Sequence, residues 1–219
     1  MRKQSGFTLI ELAIVLVIIG LLLGGVLRGQ ELINSAKVKN LAADFRNVPV
    51  YIYAYQDKFR AFPGDDKAAA THVGAVSSGD GNGALDGNWY DVKAENTEAY
   101  KFWAHVRLAN LAPGSTDASA TDWRPQNSDG GPIGIMAGTS DKTKAAMKDT
   151  GDNAIRGSYV ICSQGVLGKY VTQLDVSLDD GNITTGSMLA VKTNTPALAL
   201  KADAAGVDTA GSYIVCYGV

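Results

Sequence analysis

The chain has 219 residues, a formal net charge of −2, two histidines and two cysteines. That length suits one domain of ordinary size plus an anchor, and the small net charge argues against a protein built to seek nucleic acid or anionic lipid. His72 and His105 cannot supply a three-histidine zinc site, and the chain shows no P-loop and no Ser-His-Asp pattern, so neither an enzyme nor a cofactor is expected.

The chain begins MRKQSG and continues FTLIELAIVLVIIGLLLGGVL. From Phe7 to Leu27 only Thr8 and Glu11 are plainly polar. As a helix this run measures about 31 Å, enough to cross a bilayer core. A secretory signal has a shorter apolar core and then a small-residue cleavage site, whereas this chain runs on as RGQELINSAKVKN. A plain anchor leaves Glu11 unexplained. An ionisable group inside a span costs about 2.5–3.5 kcal/mol at mid-depth and less near the interface.

The string Gly6-Phe7-Thr8-Leu9-Ile10-Glu11-Leu12, with basic residues before it and an apolar run after it, resembles the prepilin motif of the type IV filament superfamily. That superfamily comprises type IV pilins, type II secretion pseudopilins and competence pilins. The resemblance is confined to the start of the chain. It implies cleavage after Gly6 by a prepilin peptidase, N-methylation of the new terminus Phe7, and neutralisation of a neighbouring subunit's terminal amine by Glu11. It divides the chain into a leader (1–6), a transmembrane or filament-core half-helix (7–27) and an exported head (28–219). It also implies one pass of the inner membrane, with the N-terminus cytoplasmic and the head periplasmic, or extracellular once in a filament. Charge alone would not give that orientation, because Arg28, Lys37, Lys39 and Arg46 follow the span. The partners implied are like or unlike filament subunits, the peptidase and an inner-membrane assembly platform.

Gly20-x-x-x-Gly24 and Gly25-x-x-x-Gly29 have the spacing that lets helices approach closely in apolar surroundings. They read either as subunit packing or as glycine tolerated in a membrane helix. Beyond the span, Leu41, Phe45, Val48, Ile52, Tyr55 and Phe59 recur at intervals of four and three, one apolar stripe that should pack on a sheet. The expectation is a single helix from Phe7 to Phe59, bent near Pro49, which lacks an N–H and crowds the carbonyl of Phe45.

Pro63-Gly64-Asp65-Asp66 ends that helix, and a short one follows at Lys67–His72. Residues 79–87 form a loop. Asp80, Asn82 and Asp86 match the odd-numbered ligand positions of a calcium loop, but Leu85 replaces the turn glycine and no Glu closes it, so a plain Gly/Asp turn is expected. Asn96 or Thr97 caps a helix over Glu98–Leu111. Its Trp103 and His105 read as packing and hydrogen-bonding residues rather than a site. Residues 112–157 are rich in turn residues and poor in apolar ones, apart from a strand at Pro132–Met136, and are expected to form an outward surface.

Cys162 and Cys216 lie in near-duplicate strings, Gly-Ser-Tyr-Val-Ile-Cys and Gly-Ser-Tyr-Ile-Val-Cys. Both read as strands, neighbours in one antiparallel sheet and joined by a disulfide in an oxidising compartment. A short helix over Val166–Leu174, a tight turn at Leu178–Asn182 and strands at Ser187–Lys192 and Ser212–Tyr217 complete the chain. The fold class is α+β and pilin-like, a long N-terminal helix packed on a C-terminal antiparallel sheet. The expected function is a structural subunit of a type IV pilus-like filament or type II secretion pseudopilus. The alternative is a minor or tip subunit, an anchored adhesin-like module that binds a ligand through loops 74–95 or 112–157.

Overall fold

The computed structural model describes residues 8–75, 77–92, 96–117, 120 and 123–219. Two compact units divide the chain between Lys37 and Val38, and one helix, α1 (Leu9–Phe59), contributes to both. In the first unit no residue from 8 to 37 is buried. Leu9, Leu16, Leu21 and Leu27 all face outward. Among the described residues α1 is the one helix long and apolar enough to cross a membrane.

In the second unit the apolar stripe turns inward as its period requires: Leu41, Phe45, Val48, Ile52 and Tyr55 are buried, and Phe59 is half-buried. The helix runs through Pro49 without interruption and ends at Phe59, where Arg60 adopts a left-handed conformation. That residue stops the helix before Pro63 is reached. A short helix, α2 (Ala69–Val73), follows. Next comes α3 (Glu98–Leu108), which stops short of the expected Leu111 because Asn110 is left-handed.

The strands are β1 (Ile133–Ala137), β2 (Met147–Lys148), β3 (Tyr159–Leu167), β4 (Met188–Val191), β5 (Leu200–Lys201) and β6 (Ser212–Gly218), with α4 (Gly168–Leu178) between β3 and β4. Four of them form an antiparallel sheet in the order β1-β3-β6-β4, and β2 and β5 form a small parallel pair. The two cysteine strings are the central strands, and Cys162 lies opposite Cys216. A register shift in β3 between Ser163 and Val166 is accommodated by Gly165, whose φ is +77°.

Side chains alternate across this sheet up to the register shift in β3, beyond which Val166 and Leu167 both pack into the larger core. Ile133, Ile135, Ile161, Met188, Tyr213 and Val215 face α1, α3 and α4 in the larger core. Met136, Val160, Cys162, Leu189, Ile214 and Cys216 face the other way, onto Trp89, Ala146, Met147, Ile155 and Ala202. The second face corrects the expectation for residues 112–157. Much of that stretch is an inward cover, with Ala145, Ala146, Met147 and Ile155 buried, while Trp123 is buried in the larger core. Its apolar residues are small or isolated, so they cover the sheet without any helical or strand period.

Candidate functional site

The first turn of α1 is held by reciprocal hydrogen bonds. Thr8 donates its backbone N–H and its hydroxyl to Glu11 Oε2 at 2.8 and 2.7 Å, and the Glu11 N–H donates to Thr8 Oγ1 at 3.3 Å. Thr8 precedes the first helical residue and Glu11 is the third residue of the helix, so the pair is a capping box. The Thr8-x-x-Glu11 spacing is a signal carried by the sequence itself, though the resemblance drew attention to Glu11 alone. Gly6 and Phe7, the expected processing positions, lie outside the described residues. A Cβ added at Gly20, Gly24, Gly25 or Gly29 would meet nothing within 4 Å. Among the described residues, therefore, nothing occupies the space a side chain would take at those four positions.

The loop with the calcium-like pattern is drawn around carboxylates outside the pattern. Asp65 accepts the N–H groups of Gly81, Asn82 and Gly83, and Glu98 accepts those of Asp80 and Asp86. Both acids are buried, and burial, opposed by those N–H bonds, leaves the Glu98 carboxyl above its usual range. Asp80 and Asn82 bond each other, and Asn82 reaches Asp86 at 3.4 Å. Oxygens of Asp65, Asp80 and Glu98 lie within 4.8 Å of one another. Both oxygens of Asp65 and both of Glu98 are already engaged by the loop backbone, so the arrangement folds the loop.

Asp66 ties three segments together, accepting from the Tyr55 hydroxyl at 2.8 Å, from the Ala68 N–H at 2.8 Å and from His72 Nδ1 at 2.7 Å. Burial raises its carboxyl, but these bonds outweigh burial and hold it below the usual carboxylate range. His105 is fully buried. Its Nδ1 accepts the Gly64 N–H and its Nε2 faces the Ser77 carbonyl, each at 2.9 Å. Those partners define the neutral Nε2–H tautomer, and burial keeps the imidazole below its usual pKa. Trp103 is packed in the core with Arg107 over its ring. Arg107, which the sequence reading passed over, is buried and donates to the carbonyls of Pro113, Ser115 and Trp123. It thereby organises the segment after α3.

Cys162 and Cys216 form a disulfide with Cα atoms 4.1 Å apart, buried on the loop-covered face of the sheet. Among the described residues the head thus presents structural networks, and the apolar half of α1 with its capped start is left exposed.

Residues 1–27 match the family model of the prokaryotic N-terminal methylation motif. No curated protein and no solved structure matches the chain.

Proposed function

We propose that this chain, which carries the prepilin-type cleavage and methylation motif of type IV pilins and pseudopilins, is a structural subunit of a type IV pilus-like filament or a type II secretion pseudopilus. The observation that carries the reading is that the matched motif opens a helix with no buried residue from 8 to 37. From Leu12 to Leu27 the helix is apolar on every side, which suits lipid or other apolar helices. The proposed life of this helix uses both, the inner membrane before assembly and a filament core after it. Prepilin peptidase would cut after Gly6 and leave Phe7 as the methylated terminus. An assembly platform would then draw the subunit, its head periplasmic, into the filament.

Glu11 is the proposed switch between those surroundings. In the separate chain its carboxylate is occupied by Thr8. In a dry filament core a charge without a counter-charge costs several kcal/mol. The terminal amine of a neighbour's Phe7 would neutralise it and set the axial register. Glutamine also completes a capping box, so Glu11→Gln retains the cap and removes the charge, whereas Glu11→Ala removes both. Both variants are expected to be cleaved and inserted normally, with Phe7 as the terminus by mass spectrometry. Both should lose about tenfold or more of the sheared filament fraction, the effect of ~1.4 kcal/mol. Wild-type assembly of Glu11→Gln would refute charge neutralisation, and an intact Met1 on assembled protein would refute processing.

A further inference from the structure

We propose that the cleft between α1, α3 and the segment leading into β1 binds a small organic ammonium ion, its charge on Asp44 and its apolar body against Trp103. Asp44 and Tyr51 stand about two turns apart on one face of α1. Trp103 of α3, with Pro113, Pro125 and Gln126, lines the same cleft. Its volume is about 220 Å³. An apolar cavity of about 150 Å³ accepts benzene, so this cleft has room for a benzene-sized group with an ammonium head.

The cleft holds a negative charge and lacks its counter-charge. Among the described residues the Asp44 carboxylate has no hydrogen-bond or ion-pair partner. Burial alone moves its pKa, up to about 6, and neither a bond nor a charge opposes that rise. At neutral pH the carboxylate is therefore ionised, partly withdrawn from water and unpaired, a state that an entering cation relieves. Arg107, whose guanidinium lies 6.0 Å from the centre of the Trp103 ring, is committed to the carbonyls of Pro113, Ser115 and Trp123. A primary ammonium carries three N–H donors. Asp44 offers acceptors for them, and so do the Tyr51 hydroxyl and the Gln126 side-chain amide, which have no partner among the described residues. The remaining walls select against an inorganic cation. Sodium or potassium gains nothing from proline rings, whereas a weakly hydrated organic cation is drawn to the faces of Tyr51 and Trp103. An anion is repelled by Asp44, and a neutral molecule leaves the carboxylate unpaired.

The test titrates benzylammonium chloride into the full-length chain in a non-ionic detergent at pH 7.5, followed by isothermal titration calorimetry. Binding at one site with a Kd of about 1 mM or tighter is expected. Benzyl alcohol has nearly the same shape without the charge and should bind about tenfold more weakly. Asp44→Asn retains the side-chain shape and should lower benzylammonium affinity about tenfold, abolishing the preference for the charged ligand. A melting temperature no lower than that of wild type will show that the variant is folded. Asp57→Asn, which alters an exposed carboxylate on the same helix, should bind like wild type. Absence of benzylammonium binding overturns the proposal, as does equal affinity for benzyl alcohol. So does binding that is undiminished in Asp44→Asn, or that is lost equally in Asp57→Asn.

Discussion

Asp44 lies on α1 beside Val48 and Tyr51 in a cleft also lined by Trp103 and Pro113. The sequence places it on a polar helix face, yet it is half-buried and burial pushes its carboxyl up to about 6. A carboxyl raised in the folded state holds its proton there at pH values where the unfolded chain has released it. Folding is therefore opposed above pH 6, and the opposition fades as pH falls toward 4. Two units correspond to ~3 kcal/mol, which partial exposure reduces to on the order of 1 kcal/mol. Asp44→Asn is expected to raise Tm at pH 7.5 by a few degrees, with the two melting curves converging near pH 4. A lower Tm for the variant at pH 7.5 would refute this. His105 works in the opposite direction. Kept neutral by burial, it contributes stability above its unfolded pKa that is lost as pH falls through its lower folded one.

The helix α1 is defined at its two ends by local chemistry, the Thr8–Glu11 box and the left-handed Arg60. Along its second half it is held by packing. Phe45 is 1% exposed and meets Tyr217 of β6 edge to face, with ring centroids 6.1 Å apart. Truncating a buried phenylalanine costs ~3–5 kcal/mol, so Phe45→Ala should lower the Tm of the full-length chain by about 10 °C. Tyr53, on the same helix but exposed, should tolerate alanine within about 0.5 kcal/mol. Equal effects from the two substitutions would show that α1 is not held by the sheet.

At the scale of the molecule, the antiparallel sheet is covered by helices on one face and by irregular segments on the other, and the disulfide lies on the irregular side. Loops offer fewer cooperative backbone bonds than helices, so a covalent tie there restrains the more weakly ordered layer. The bridge spans 54 residues, and closing a loop of that size is worth ~4 kcal/mol in the chain-entropy model. The Cys162→Ser, Cys216→Ser double variant is expected to melt about 10 °C lower. Mass spectrometry of the unreduced protein should recover one linked Cys162–Cys216 peptide. Free thiols that alkylate in the native protein would refute the pairing.

Sequence alone determined what depends on neighbours along the chain. The apolar run and its leader, the period of α1, the twin cysteine strings and the Thr8-x-x-Glu11 cap are each written within a few residues, because helices and strands repeat at fixed short intervals. Only the tertiary structure decided what the irregular segments bring together. Asp65 and Glu98 meet the loop at 79–87, Arg107 gathers three carbonyls, and Ala146 and Met147 close the second core. Such placements have no periodicity to reveal them. They are set by the shapes of surfaces distant in sequence, which exist only once the sheet has formed.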